Sequence, residues 1–384
     1  MTSSSPNLAV ALVGCGNIGA NHARALARHP GTTLSAVVDP SPGAADGLAD
    51  LVENELAQPR PAAFTALDQA LGTQPADMVV ICTPSGLHVP LAEEALAAGA
   101  HVVIEKPLDV SLSRARRIAG LAREAAERGL LTSVISQHRF EPASLAVAHA
   151  AGSGAFGTLT SGVASVPWWR DQEYYDSAQW RGTWALDGGG ALMNQGVHTV
   201  DLLLWFLGEP LEITAHAATL AHERIEVEDV AAATIRFSSG AVAVLHATTA
   251  AYPGLGVRIQ VHGSQGSAII EDDRLRYFHA AHWEGREIRP DAGNQAEHVV
   301  PPDQLTGATR PPDEFIVGHL RQYEDIVAAI HAGKAAAVTV DDAFRALATV
   351  RGIYAAASLG KPVAFADVLA GAYDDLTPTI GGAR

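Results

Sequence analysis

The chain has 384 residues, 48% of them hydrophobic, enough to bury large cores and to form two domains rather than one. Its formal charge of −16 excludes the basic surface that a nucleic acid or an anionic membrane would require of a partner. Two cysteines, Cys15 and Cys82, exclude a disulfide framework and a cysteine-rich zinc site, and suit a reducing compartment.

The opening Met1-Thr-Ser-Ser-Ser-Pro6 lacks the basic stretch of a signal peptide, and the apolar run Leu8–Val13 is too short for its hydrophobic region. No run reaches the length of a membrane span, so a soluble, cytoplasmic protein is expected. After Leu8–Val13 come Gly14-Cys15-Gly16-Asn17-Ile18-Gly19 and the helix-forming Ala20–Ala27. A second apolar run, Leu34–Val38, ends in Asp39, twenty residues past Gly19. Strand, glycine turn, helix, strand and acid in this register answer to a dinucleotide. Gly14 permits the tight turn, Gly16 lets the backbone approach a pyrophosphate, and Gly19 allows close helix–strand packing. The helix start at Asn17 and Ile18 offers amides to the phosphates, and Asp39 accepts from the ribose hydroxyls. A 2′-phosphate would meet negative charge there, and no Arg follows in Asp39-Pro-Ser-Pro-Gly43, so NAD is expected rather than NADP.

Helices are expected at Ala44–Leu56 and Ala66–Leu71, with a turn at Gln58–Pro61 between them. The apolar strand Met78–Cys82 ends at Thr83-Pro84, and helix Val89–Ala98 stops at Gly99. Strand Val102–Ile104 then ends at Glu105-Lys106-Pro107. Helix Ser113–Arg128 and strand Leu131–Ile135 close the series. Continuously apolar strands alternating with helices predict an α/β domain over residues 1–135, with a parallel sheet covered on both faces. From Ser136 the pattern becomes β-alternation at Ile213–Ala217, Ala231–Phe237, Ala241–His246, Val257–His262 and Ser267–Ile270, with turns at hairpin spacing. Residues 136–384 are therefore expected to form an α+β domain with a mostly antiparallel sheet. Glu284–Pro312 reads as a loop, and Glu314–Ala332 and Asp341–Ser358 as helices.

Parallel sheets bind ligands at the carboxyl ends of their strands. Three polar groups fall at such ends: Thr83-Pro84 with His88, Glu105-Lys106, and Gln137-His138-Arg139. Lys106 at a strand tip is expected to face the nicotinamide end of the cofactor. A second constellation opens at Gly188-Gly-Gly190, where α-helical spacing puts Asn194, His198 and Asp201 on one stripe. His198 has the proton affinity of a general base near neutrality, and a neighbouring carboxylate would orient it. A third stretch runs from Trp168 through Arg170, Tyr174 and Tyr175 to Trp180, Arg181 and Trp184. Aromatic faces with interleaved arginines suit stacking on sugar rings and gripping a carboxylate or phosphate. No His/Cys/Asp cluster shows metal spacing, so no metal is expected.

Together these stretches resemble the Gfo/Idh/MocA family of glucose–fructose oxidoreductases, inositol dehydrogenases and related sugar dehydrogenases. The resemblance continues in Val261–Ile270 and in Gly318-His-Leu-Arg-Gln-Tyr323. It implies an N-terminal Rossmann domain and a C-terminal domain whose large open sheet joins subunits into a homodimer or homotetramer. It also implies that Lys106 lies beside the nicotinamide, with Pro107 often in a cis peptide. The family's catalytic Asp-x-x-x-His falls on Asn194–His198, where His198 matches and Asn194 does not. Asn cannot accept a proton, although it can still orient a hydroxyl. The Asn-Gln-x-x-His form with Trp-Arg-Gly-Thr-Trp upstream looks most like the branch acting on sugar nucleotides and glycosides. The expected reaction is oxidation of a secondary hydroxyl, at C3, of a small-molecule carbohydrate. His198 takes the proton, Lys106 stabilises the developing alkoxide, and hydride passes to nicotinamide C4. Thr83, Pro84, His88, Glu105, Gln137, Trp180 and Arg181 are assigned with the glycine turn to the cofactor. Arg139, Arg170, Tyr175 and Asn194 join Lys106 and His198 at the substrate. The alternatives are an inositol or polyol dehydrogenase, an NAD-dependent glycosidase working through transient C3 oxidation, and a non-catalytic NAD-binding regulator.

Overall fold

The computed structural model describes residues 7–382 apart from 284, 285, 288, 290 and 292. The chain divides into two compact units, one running to Gln137 and including Pro311–Phe344, the other holding His138–Arg310 and the residues from Arg345 on.

The first unit alternates β1 (Leu8–Val13), α1 (Asn17–Arg28), β2 (Thr32–Val38), α2 (Pro42–Asn54), β3 (Ala62–Phe64) and α3 (Leu67–Thr73). It continues with β4 (Met78–Ile81), α4 (His88–Ala97), β5 (His101–Ile104), α5 (Leu112–Glu127) and β6 (Thr132–Val134). The six strands are parallel, in the order β3-β2-β1-β4-β5-β6. This is the doubly wound Rossmann arrangement, with the order reversing between β1 and β4. Val10, Leu12, Val37, Val80 and Val103 are fully buried, which is why these strands read as unbroken apolar runs. The helix Glu314–Ala332, far along the chain, belongs to this unit. Its Tyr323 and Ile326 are buried in one core with Val10 and Leu26. The short edge strand β3 lies just beyond the expected turn at Gln58–Pro61.

The second unit contains α6 (Pro142–Gly152), β7 (Leu159–Pro167), α7 (Gln172–Asp176), a π-helical turn at Ala191–Gly196 and α8 (Val197–Leu207). The strands β8 (Pro210–Thr219), β9 (Val230–Phe237), β10 (Val242–Thr248), β11 (Arg258–Gly263), β12 (Gly266–Glu271) and β13 (Arg274–Ala280) follow. They form one sheet in the order β13-β12-β11-β7-β10-β9-β8, with Val363–Ala364 and Gly381–Gly382 added on β8. Pairing is antiparallel except between β7 and β10 and between β8 and Gly381–Gly382. β9 alternates buried and exposed residues, as a sheet with one face against helices must. The other face leaves Val242 and Val244 of β10 about half exposed, at 45% and 47%.

The central strand β7 was not expected. Its Leu-Thr-Ser-Gly-Val-Ala-Ser-Val-Pro is too rich in small residues to signal a strand. The reason lies at Gly162, where a Cβ would come 2.8 Å from Leu207 and 3.1 Å from Leu203 of α8. The small residues let α8 lie close against the sheet. β13 and α6 were also not foreseen. In the expected loop from Glu284, residues 284, 285, 288, 290 and 292 lie outside the described residues, as do residues 1–6, read above as lacking a leader. The remainder holds a two-strand pairing of His282–Trp283 with Arg286–Glu287 and short helical turns at Ala296–His298 and Pro302–Gln304. Among the described residues no helix is long and apolar enough to cross a membrane.

Candidate active site

In the first unit the glycine turn has the geometry a dinucleotide needs. Gly14 has φ +97°, and a Cβ there would sit 2.6 Å from the Cys82 carbonyl oxygen at the tip of β4. A Cβ at Gly19 would sit 2.0 Å from the Gly14 oxygen. Gly16 differs: its Cβ position meets nothing within 4 Å, which leaves room for a phosphate against the backbone at the start of α1. Ile18, in the first turn, is 39% exposed. Asp39 sits at the end of β2, its carboxylate held by the amides of Cys15 at 3.0 Å and Ser41 at 2.9 Å. NAD would be held by this turn, by the α1 amides from Asn17 and by Asp39. Burial, with the Asp39 charge behind it, pushes the Cys15 thiol up to about 12, and burial also holds Cys82 well above the ordinary thiol range, so neither is a thiolate nucleophile.

At the next two strand tips, His88 is buried, with its ring nitrogens 2.9 Å from the Thr83 oxygen and 2.8 Å from the Pro107 oxygen. It thereby ties the Thr83-Pro84 turn to the segment after β5. Burial lowers its proton affinity more than these carbonyls raise it. The Lys106–Pro107 peptide bond is cis. Glu105, assigned above to the cofactor, turns its carboxylate inward. One oxygen accepts the Lys106 amide at 2.8 Å, and the other lies 2.9 Å from His22 Nε2. His22 Nδ1 lies 2.6 Å from the Tyr323 hydroxyl, and His319 Nε2 is 3.6 Å from the same carboxylate oxygen. Burial acts to raise the Glu105 carboxyl, but the bond from His22, the neighbouring His319 ring and the Lys106 charge hold it well below the carboxylate range. Burial in turn lowers His22, which remains neutral, donating from Nε2 and accepting the Tyr323 proton at Nδ1. The ligand atoms of His22, Glu105 and His319 lie within 4.8 Å of one another, a spacing that could hold a metal ion. Within this trio the His22–Glu105 contact is a hydrogen bond of 2.9 Å, while buried His319 Nε2 has no hydrogen-bond partner among the described residues. Buried Gln137 follows β6, beside the Ser136 amide that Gln322 accepts at 2.9 Å.

In the second unit the stripe expected from α-helical spacing divides. Asn194 lies in the π-helical turn and donates from Nδ2 to Asp187 at 3.0 Å. Asp187 is itself buried and accepts the Gly182 amide at 2.8 Å. His198 opens α8, its ring 4.6 Å from that of His138, and His138 Nδ1 lies 2.7 Å from Asp273. Burial raises the Asp273 carboxyl, yet His138, Arg310 and Arg274 together bring it below its ordinary value. The histidine pair thus has a carboxylate beyond it, though not the one expected. Asp201 instead receives both arms of Arg139, at 2.7 and 2.6 Å, and both side chains are buried. Arg139, assigned above to the substrate, holds this internal pair.

The aromatic stretch gathers around Tyr174. The Arg170 guanidinium lies 5.2 Å from the Trp168 ring and 4.9 Å from Tyr174, while Arg181 lies 4.4 Å from Tyr174 and 4.5 Å from Trp180. Arg181 also donates to the Tyr174 hydroxyl at 2.8 Å. Tyr175 is buried and its hydroxyl meets Thr249 at 2.8 Å. Sequence reasoning did not single out His22, Asp187, Asp273 or Glu228. His22, Asp273 and Glu228 find their partners through the fold, up to 301 residues away, whereas Asp187 meets Gly182 and Asn194 only five and seven residues away.

Residues 8–133 match the oxidoreductase family with an NAD-binding Rossmann fold, and residues 145–269 match the GFO/IDH/MocA C-terminal domain. The chain belongs to the Gfo/Idh/MocA family. It is an oxidoreductase that binds NAD. The WlbA dehydrogenase of Bordetella pertussis, solved with NADH and UDP-GlcNAcA, is similar at 30% identity and a TM-score of 0.80, over 94% of this chain and 98% of that one. GenD2 of gentamicin A biosynthesis, solved with NAD, is similar at 28% identity and a TM-score of 0.75, over 94% and 97%. Inositol 2-dehydrogenase of Rhizobium meliloti is 28% identical over 88% of this chain and 93% of its own length.

Proposed function

We propose that this family member oxidises a secondary hydroxyl, at C3, of an anionic sugar derivative such as a sugar nucleotide. Likeness over 94% of the chain to an enzyme solved with NADH and UDP-GlcNAcA is the observation that carries this reading. NAD, when bound, supplies the hydride acceptor at nicotinamide C4. His198 takes the hydroxyl proton, passing charge toward His138 and Asp273. Lys106 hydrogen-bonds the same oxygen and stabilises the developing alkoxide, its backbone fixed by the Glu105 carboxylate. Asn194 orients the hydroxyl while Asp187 holds its amide. Arg170 and Arg181, braced by aromatic rings, supply positive charge to a carboxylate or diphosphate. The half-exposed face of β10 is assigned to a homo-oligomeric contact.

The test is NADH formation from UDP-sugar acids, alkyl glycosides, free hexoses and inositols, with Lys106→Ala and His198→Ala as controls. Each variant is expected to lose about 10²–10⁴-fold in kcat on a sugar-nucleotide substrate. Activity confined to inositols would favour a polyol dehydrogenase, and full activity in both variants would remove the assigned roles.

A further inference from the structure

A helix start leaves four amides without partners, and the run Gly188–Gly190 carries no side chain that could cap them. The second unit supplies the caps from elsewhere. The Gly190 amide donates to Glu228 Oε2 at 2.9 Å, the Ala191 amide to the Glu228 carbonyl at 3.1 Å, and the Leu192 amide to Glu228 Oε1 at 2.8 Å. Tyr354 donates its hydroxyl proton to the same Oε1 at 3.0 Å. Three consecutive amides are thus satisfied by one buried residue, Glu228, whose carboxylate Tyr354 also meets. Only glycine fits beside them: a Cβ at 189 would lie 2.2 Å from the Tyr354 oxygen, and one at 190 only 1.7 Å from the Glu228 carbonyl.

We propose that Glu228 and Tyr354 are positioning residues for the dehydrogenation, clasping the turn that presents Asn194 and His198 while the Glu228 carboxylate is ionised. This rests on the roles given above to Asn194 and His198. An ionised carboxylate accepts all three donors. A protonated one must turn its own proton on an amide or reverse the Tyr354 bond, so the three-donor arrangement is broken. Burial pushes the Glu228 carboxyl up to about 7, against the opposing pull of the Leu192 and Gly190 amides and Tyr354. The charged and titratable groups around it are Tyr354 and, near it, Arg351 from the helix Val340–Leu359, Tyr175 from α7, and adjacent Asp229, paired with His222. The clasp therefore loosens as pH falls through neutrality.

The experiment measures kcat and KM against pH for the full chain with NAD and the sugar substrate that yields NADH. Wild type is expected to lose log kcat with a limiting slope near two on the acid side, one proton for His198 and one for Glu228. Glu228→Gln should show a slope near one and a kcat about ten-fold lower at pH 8, with KM changed less than about three-fold. Tyr354→Phe should lower kcat at pH 8 about three-fold and move the acid limb to higher pH, because one donor to the carboxylate is gone. Urea unfolding at pH 5 and pH 8 gives a readout independent of activity. Glu228→Gln should gain stability relative to wild type as pH rises, since only wild type must ionise a buried carboxyl. A wild-type slope in Glu228→Gln with an unmoved acid limb in Tyr354→Phe would overturn the proposal while leaving the dehydrogenase intact, as would a pH-independent stability difference. A pH-dependent stability difference with no NADH from any substrate would instead sink the functional reading, and the positioning role with it.

Discussion

Two buried glutamates, one in each unit, accept backbone amides at or near residues proposed for the reaction, and their environments drive them in opposite directions. Glu105 at the tip of β5 accepts the Lys106 amide and faces His22, His319 and the Lys106 charge, so its carboxyl stays well below the usual range. Glu228 at the start of the Asn194–His198 segment is met by backbone amides and one phenol, and burial carries it up to about 7. At Glu228 the backbone amides do not offset the loss of water around the carboxylate, whereas at Glu105 an imidazole partner and a nearby ammonium do. One support is a permanent charge and the other is conditional.

The largest effect expected from breaking this contrast comes from stripping Glu105 of its imidazole. His22→Leu leaves a buried carboxylate with only the Lys106 amide and His319 nearby, and should cost about 3–5 kcal/mol in urea unfolding at neutral pH. A cost below about 1 kcal/mol would show that His22 is not what keeps Glu105 ionised.

The next effect is smaller and has opposite signs at the two sites. Glu228 has a folded pKa near 7 against an ordinary value of 4.5. Its contribution is complete below about pH 4.5 and is lost as pH rises through 7, a swing of about 3 kcal/mol. Glu105 has a depressed folded pKa, so its contribution is present above its ordinary 4.5 and is lost as pH falls below it. Unfolding of Glu228→Gln and Glu105→Gln from pH 4 to 8 should therefore diverge from wild type in different windows. The Glu228 difference should develop between pH 4.5 and 7, and the Glu105 difference should shrink only below pH 4.5. Parallel curves would show that the two carboxyls share one environment.

The same contrast explains what the sequence made legible. The first unit could be read strand by strand because its sheet is buried on both faces, which forces unbroken apolar runs such as Met78–Ile81 and Val102–Ile104. In the second unit β7 was invisible, because close packing of α8 on Gly162 selects small residues that carry no strand signal. Lys106 and His198 stood out through local context, a strand tip and a glycine-opened helix. Their supports did not: Glu228 and Tyr354 are 126 residues apart, and His22 and Tyr323 301 apart. The one local error was geometric, since Asn194 lies in a π-helical turn and Asp201 is drawn to Arg139. The expected stripe assumed a uniform 3.6-residue period.

The smallest expected effect concerns Asn194 itself. The resemblance puts an aspartate at this position, yet here the side chain donates to buried Asp187 at 3.0 Å. Asn194→Asp removes that donor and sets two carboxylates face to face, where like charges at such a distance disfavour joint ionisation. Above the pH at which they share a proton the two acids repel, so kcat at pH 7.5 should fall about ten-fold and recover partly as pH is lowered and the shared proton restores a donor between them. Exchanging the partners, Asp187→Asn with Asn194→Asp, restores one donor and one carboxylate. It should return kcat to within about three-fold of wild type, which a purely steric defect at position 194 would not allow. Recovery in the double variant would make the Asp187–Asn194 pair, rather than either residue alone, the unit that orients the hydroxyl.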